Sequence, residues 1–442
     1  MKKLTIVGAG LVGSLLSLYL SKRGYKVDIY ERRKDPRKLK NSEGRSINLA
    51  LSERGWAALK KVGISQEVMN SAIPMYRRVM HSINGELSFQ NYGKNGQAIY
   101  SVSRGGLNKI LIEKAESDPN IKINFNHKCI SANIEAGSVV FDNDSKEIEI
   151  NNDAVFGTDG AFSKIRMAFQ RRDGFSYSQE YIDHGYKELN IPPDESGNFK
   201  MEKEALHIWP RGGYMLIALP NPDGSFTCTL FFPLKGELSF DTLSSPFKAR
   251  KFMNDIFPDA LSLMEDFDKQ WESNPTSSLV IIKCRPWNVK GKSMILGDAS
   301  HAIVPFYGQG MNSGFEDCRV FDEILEKSSD LNEAFDSFSN TRKPDADAIS
   351  DLAMHNFIEM RDHTGQPDFL LRKKIENRFS ELYPDKWIPL YSQVTFSHIP
   401  YSKALATGKK QEKIMEKIMA MPDIEKTWDS TKVYDNILKY LG

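Results

Sequence analysis

The chain has 442 residues, 40% of them hydrophobic and 26% charged, with a formal net charge of +1. That length accommodates two domains or one large composite with ample core, and the charge balance argues against a nucleic-acid footprint or an acidic partner. The cysteines (Cys129, Cys228, Cys284, Cys318) are dispersed without a CxxC, and no histidine sits in an HExxH or at ligand spacing from a cysteine, so neither disulfides nor a metal site is expected. A spanning helix needs about 20 apolar residues. The best run here, Tyr214 to Leu219, is far shorter, and glycines interrupt the opening MKKLTIVGAG, so a cytoplasmic protein is the expectation.

In chain order, Leu4 to Val7 reads as a β-branched strand, Gly8 to Gly13 as a turn, and Ser14 to Arg23 as an apolar helix stopped at Gly24. Lys26 to Tyr30 is the next strand, ending in Glu31, which completes a βαβ opening. A helix is predicted over Glu53 to Val62, ended by Gly63. Arg77 to Ile83, Glu86 to Phe89 and Ala98 to Val102 read as strands leaving the nucleotide-binding part. Ser103 then caps a helix from Gly105 to Glu116, and Ile121 to Phe125 returns as a strand. Two alternating runs, Ser138 to Phe141 and Glu147 to Ile150, suggest a small antiparallel excursion, and Ala154 to Phe156 runs as a strand into GTDG. Period-two alternation from Tyr186 to Pro233, with a turn at Asn221 to Gly224, predicts an antiparallel sheet. Beyond Gly314 the pattern is mostly helical.

Two segments carry chemistry. In IVGAGLVG, Gly8 makes the tight turn, Gly10 lets backbone approach a pyrophosphate, and Gly13 permits close helix–strand packing. Glu31, at the end of the second strand, is placed to accept hydrogen bonds from a ribose. The second segment, GDASHAIVPFYGQGMNSGFEDC from Gly297 to Cys318, links a strand to a helix through an Asp, a Pro and closely spaced glycines. Backbone N–H groups at such a helix start can meet an electron-rich or anionic ligand. Asp159 and Gly160, in GTDGAFSKIR, follow another strand; alone they would be an ordinary Asp–Gly turn.

Together these segments resemble the two halves of one flavin site in the FAD-dependent aromatic hydroxylases related to para-hydroxybenzoate hydroxylase. The resemblance implies an α/β fold in which a Rossmann-like FAD-binding domain (1–75, 103–180 and 280–325) is interleaved with an antiparallel-sheet substrate domain (76–102 and 181–279). C-terminal helices (326–442) follow, and the sheet roofs the flavin. Asp298 is expected to hold the ribityl hydroxyls and Pro305 to shape the loop against the ring. The N–H groups around Gly310, Met311 and Asn312 are expected to face the flavin N1–C2=O edge. Asp159 and Arg104 are expected near the pyrophosphate, with Arg32, Arg45 and Ala50 as further cofactor contacts. Only one dinucleotide fingerprint exists, so NADPH is expected to bind without a Rossmann domain of its own.

Longer blocks are similar to the branch of that family that hydroxylates L-kynurenine: HSINGELSFQNYGKNGQAIYSVSR, IWPRGGYMLIALPNPDGSFTCTLFFP, DAISDLAMHNFIEMRD and WIPLYSQVTFSHIPY. The similarity runs to about Tyr401. It implies that Arg78 and Tyr92 hold the substrate carboxylate, that Asn356 and Tyr391 contact the substrate, and that Glu359, Met360 and Phe306 line the pocket. Arg77, adjacent to Arg78, is a competing candidate. Tyr307 is a departure, since members often carry a second Phe there. The implied reaction uses FAD, NADPH and O2, through a flavin C4a-hydroperoxide, to convert L-kynurenine to 3-hydroxykynurenine in tryptophan degradation and in quinolinate and NAD biosynthesis. No catalytic side chain is assigned, because the cofactor carries the hard chemistry. Eukaryotic members have a C-terminal membrane anchor, whereas the tail KIMAMPDIEKTWDSTKVYDNILKYLG is too charged to span, which fits a soluble, bacterial-type monomer or dimer. A hydroxylase or halogenase acting on another phenol, aniline or indole is the alternative, although no WxWxIP-type motif is present. A flavin-free binding module of related fold would lack an intact GD loop, and a plain NAD dehydrogenase would leave that loop unexplained.

Overall fold

The computed structural model describes residues 2–38, 48–93, 96–360 and 366–442. Lys3–Val7, Lys26–Tyr30, Ile121–Asn124, Ala154–Gly157 and Ser293–Ile295 pair in parallel, and the short Asn288–Val289 adds one antiparallel edge. Lys3–Val7, Lys26–Tyr30, Ala154–Gly157 and Ser293–Ile295 are buried on both faces over most of their length, and their short runs of Val, Ile, Leu, Phe and Met made them legible, while IKIN at Ile121–Asn124 alternates. Val7 stands opposite both Tyr30 and Gly157, and Gly157 opposite Ile295. The carboxyl ends of four strands are therefore level, and Gly8, Glu31, Thr158 and Gly297 emerge along one edge, where open α/β sheets bind ligands.

A second sheet has seven strands in the order Ser277–Arg285, Ser176–Ile191, Phe226–Pro233, Met215–Pro220, Ala205–Pro210, Arg77–His81 and Leu87–Asn91. All neighbours are antiparallel except Ala205–Pro210 with Arg77–His81, which run parallel. Ser176–Ile191 starts well before Tyr186, where alternation predicts the sheet to begin. Its first half, SYSQEYIDHG, is polar on both faces and shows no period-two signal. Residues 181 and 280, taken from the sequence as unit boundaries, both fall inside strands of this sheet.

One face of the seven-stranded sheet packs on the helices Pro246–Ile256 and Phe267–Ser273 through Trp209, Phe232, Phe257 and Trp271. The other face, through Met80, Ile208, Met215 and Phe231, meets the 3-10 turn Pro305–Tyr307 and the helices Leu331–Ile358 and Tyr401–Met419. Ile99–Ser103, expected among the outgoing strands, instead pairs with Asn48–Leu51 and Ile73–Met75 in a separate sheet. The small antiparallel excursion has a third strand, Lys128–Asn133, which the sequence reading missed because only Cys129 in it is buried. Among the described residues no helix is long and apolar enough to cross a membrane.

Candidate cofactor and substrate site

The fingerprint turn is closed by backbone. Gly8 has φ +105°, a left-handed conformation, and its N–H donates to the Tyr30 carbonyl at 2.8 Å. A Cβ on Gly13 would lie 2.0 Å from the Gly8 carbonyl oxygen and 2.5 Å from Thr158 Oγ1, so the helix Leu11–Lys22 sits on its strand only with glycine there. Thr158, which sequence reasoning missed, donates its hydroxyl toward the Val7 and Gly8 carbonyls at 3.0 and 3.1 Å. Gly10 differs from both, because a Cβ on it would meet nothing within 4 Å and it opens on free space. Glu31 is buried beside this turn. Its Oε2 accepts from the Ala9 N–H at 2.9 Å, and its Oε1 accepts from the Arg33 backbone and Nε.

The GD segment comes to the same edge. Val12, in the first turn of the fingerprint helix, fills the space where Cβ atoms on Gly297 and Gly314 would stand, at 2.9 and 2.7 Å. The helices Leu11–Lys22 and Gly310–Leu325 thus begin against one another, and neither has a side-chain cap. Two uncapped helix starts leave N–H donors and positive dipole ends for an anionic or electron-rich group. Asp298 is exposed at this edge between buried neighbours and makes no hydrogen bond or ion pair with another described residue. Pro305 is likewise exposed between buried Val304 and Phe306. These features fit FAD, with room at Gly10, free donors at two helix starts and an unengaged carboxylate at Asp298.

Other expected cofactor residues have more structural surroundings. The Asn312 side chain is a clamp: Oδ1 accepts from the Ser52 N–H at 2.9 Å, and Nδ2 donates to the Ala50 and Gly308 carbonyls, each at 2.8 Å. Asp159 caps the helix Lys164–Phe169, accepting from Ser163 Oγ at 2.5 Å and from the Lys164 N–H at 2.6 Å. Burial pushes its carboxyl up from the ordinary value against those hydrogen bonds. Arg104 opens the helix Arg104–Glu116, which Ser103 Oγ caps through the Gly106 N–H; Arg104 itself is exposed, as is Arg32. Arg45 lies outside the described residues.

Behind the loop is a buried ionic network that sequence reasoning did not find. Asp317 Oδ2 accepts from the Gly297 N–H at 3.1 Å and lies 2.6 Å from His301 Nε2, while its Oδ1 accepts from Arg342 Nε at 3.0 Å. Glu316 bridges Arg342 and Arg54, and Arg54 also donates to the carbonyls of Val394 and Ile399. The turn that carries Asp298 is thereby tied to the segment that follows Tyr391.

The expected substrate residues converge across the sheet–helix boundary. On the strand Arg77–His81 successive side chains alternate faces. Arg77 pairs with Glu202 at 2.7 Å and covers Phe89. Arg78 turns to the opposite face, with its guanidinium 5.0 Å from the Tyr92 ring and 4.6 Å from the Tyr391 ring. The Arg78 Nε and the Tyr92 hydroxyl are buried without hydrogen-bond partners. Burial opposes the Arg78 charge, but the polar oxygens of Tyr92, Tyr391 and Glu359 outweigh it and keep the group cationic. Burial raises the Tyr92 phenol above its ordinary value, so it stays neutral.

Asn356 Nδ2 donates to the Phe306 carbonyl at 2.7 Å and lies 3.2 Å from Met360 Sδ. Phe306 stacks on Phe357 with centroids 4.0 Å apart. Glu359, half-buried just after the helix Leu331–Ile358, pairs with Lys373 at 3.6 Å, and its carboxylate acts on the buried Arg78 and Tyr307. The result is an apolar, aromatic wall with one guanidinium and two phenols at one end. Such a lining orients an aromatic acid by its carboxylate.

Comparisons with known proteins identify the family and the fold. The FAD binding domain family matches residues 2–353. The chain is 48% identical to kynurenine 3-monooxygenase of Flavobacterium johnsoniae, over 99% of this chain and 98% of that one. It is 43% identical to kynurenine 3-monooxygenase of Sus scrofa, over 93% and 88%. The first of these alignments extends through the C-terminal helices, further than the expected limit near Tyr401. Among solved structures, 2-methyl-3-hydroxypyridine-5-carboxylic acid oxygenase in its tetrameric form superposes with a TM-score of 0.69 at 17% identity, covering 85% of this chain and 97% of that one, a likeness of fold.

Proposed function

This chain belongs to the kynurenine 3-monooxygenase family of FAD-binding proteins, and from that premise we propose that it hydroxylates L-kynurenine to 3-hydroxykynurenine, with NADPH as reductant and O2 as oxidant. FAD, when bound, supplies the oxygen-transfer chemistry. Gly10, Asp298 and the two helix starts would hold it, and Glu31 would accept from its ribose. The protein's remaining work is to position, dry and polarise the substrate.

One observation carries the substrate assignment. The Arg78 Nε and the Tyr92 hydroxyl are buried and unsatisfied within an otherwise aromatic pocket. Unpaired buried donors are costly, and a carboxylate takes both at once. Arg78 binds the amino-acid carboxylate, Tyr92 donates to it, and Tyr391 stacks beside the guanidinium. The substrate ring then extends along Phe306 and Asn356 toward the cofactor loop. Its ring amino group donates electron density to the carbon that is hydroxylated, so no side-chain base is required. A cytoplasmic setting in kynurenine-dependent tryptophan degradation and NAD biosynthesis accompanies this reading.

The test is aerobic turnover of the flavin-loaded protein with NADPH, with and without L-kynurenine, assaying 3-hydroxykynurenine directly. The expected result is product matched to NADPH consumed. Kynurenine-stimulated NADPH oxidation that yields only peroxide would move the assignment to a different aromatic acid.

A further inference from the structure

Tyr391 is the middle member of a column of three phenols. Its ring lies 5.4 Å from that of Tyr92 at 19° and 5.5 Å from that of Tyr307 at 13°. Arg78 lies beside the Tyr92–Tyr391 pair, its guanidinium 5.0 and 4.6 Å from the two rings. Tyr307 closes the other end in the turn Pro305–Tyr307, directly before Gly308 and the helix Gly310–Leu325. The column therefore runs from the carboxylate anchor to the cofactor loop.

Tyr307 is only 7% exposed, yet its hydroxyl has no hydrogen-bond partner among the described residues. Its turn is fixed, because Asn356 holds the neighbouring Phe306 carbonyl at 2.7 Å. Burial pushes the Tyr307 pKa well above 10, so the group is a neutral phenol able both to donate and to accept.

We propose that the Tyr307 hydroxyl is a specificity-determining group that accepts a hydrogen bond from the ring amino group of the substrate at the cofactor end of the pocket. This rests on the kynurenine reading above. With the carboxylate held at Arg78, the ring and its amine are carried toward the loop. The hydroxylated carbon is next to that amine, so the amine must lie close to the cofactor. A neutral acceptor there orients the amine and leaves its electron density on the ring, whereas a cation would draw that density away.

The test measures dissociation constants by perturbation of the flavin absorbance, in wild type and in Tyr307→Phe. The two ligands are L-kynurenine and the same amino acid with hydrogen in place of the ring amino group. Tyr307→Phe should weaken kynurenine roughly 3- to 10-fold, the worth of one neutral hydrogen bond, and leave the analogue within about twofold. Equal loss for both ligands, or no loss for either, overturns the role of Tyr307 while leaving the kynurenine reading intact. Flavin-loaded wild type that binds neither ligand overturns both.

Discussion

Arg78 and Tyr391 are 313 positions apart in the chain, yet the Arg78 guanidinium carbon lies 4.6 Å from the centre of the Tyr391 ring. The guanidinium sits beside the stacked Tyr92–Tyr391 pair, whose rings are 5.4 Å apart, and lies 5.0 Å from the Tyr92 ring as well. Arg78→Ala should raise the kynurenine KM at least tenfold, since a charge-assisted contact of about 1.5–3 kcal/mol corresponds to roughly ten- to hundredfold in affinity. Flavin content should not change, because among the described residues Arg78 makes no hydrogen bond or ion pair with the loop residues assigned to FAD. Arg78→Lys should restore little, as an ammonium neither stacks nor forks. An unchanged KM in Arg78→Ala would remove the residue from the site.

The two fingerprint glycines separate folding from cofactor binding. A Cβ at Gly13 collides with the Gly8 carbonyl at 2.0 Å, so Gly13→Ala should give insoluble protein or a markedly lowered melting temperature. A Cβ at Gly10 meets no protein atom within 4 Å, and its φ of −75° suits any residue. Gly10→Ala should therefore fold with wild-type circular dichroism and purify with little flavin, because the methyl occupies space meant for a pyrophosphate. Full flavin occupancy in Gly10→Ala would place the pyrophosphate elsewhere.

What was legible in the sequence had a periodic or local signal. The first two parallel strands carry short β-branched runs beside the glycine fingerprint, Glu53–Val62 ends at Gly63 as expected, and Ser103 caps its helix. Arg78, Tyr92 and Tyr391 have no local signal; the family resemblance picked them out, and the fold brings them together. Polar residues whose partners are distant were not legible. Arg54 reaches the Val394 carbonyl 340 residues away, and Asn312 grips Ser52 and Ala50 from 260 and 262 residues away. Asp159 shows the converse. Its motif is readable, while its carboxylate is engaged in capping the helix that follows.

Arg342 tests the buried network. It is 2% exposed and faces Asp317, Glu316 and Asp345 at 3.0, 3.1 and 3.2 Å. Burial alone would raise the Asp317 pKa, but His301 and Arg342 outweigh it and hold the carboxyl below its ordinary value. Arg342→Met removes the one cation these three carboxylates share, leaving Glu316 with Arg54 and Arg319 and Asp317 with His301, and should cost about 3 kcal/mol in urea unfolding. Flavin occupancy should fall as well, since Asp317 also holds the Gly297 N–H at the start of the Asp298 turn. A loss below about 1 kcal/mol, within the range of an exposed ion pair, would show that the network is solvated.

A pH dependence should come from the far face of the substrate sheet. His207 Nε2 lies 2.9 Å from the Glu202 carbonyl, which can only accept, so that nitrogen carries its proton. Its Nδ1 then accepts from His81 Nε2 at 2.9 Å, and His81 Nδ1 faces Asp259 at 2.9 Å. Burial, aided by His81, lowers the His207 pKa from 6.5 to about 4. The folded state thus resists a proton that the unfolded chain takes up readily. The contribution of His207 to stability is complete above pH 6.5 and declines as the pH falls toward 4, by about 2 kcal/mol between pH 7 and pH 5. His207→Gln removes the titrating group and should flatten that part of the slope, whatever its own stability. Urea unfolding of both proteins at pH 7 and pH 5 reads the difference directly. Parallel slopes would mean that the unfolded chain and the native sheet bind the His207 proton equally well.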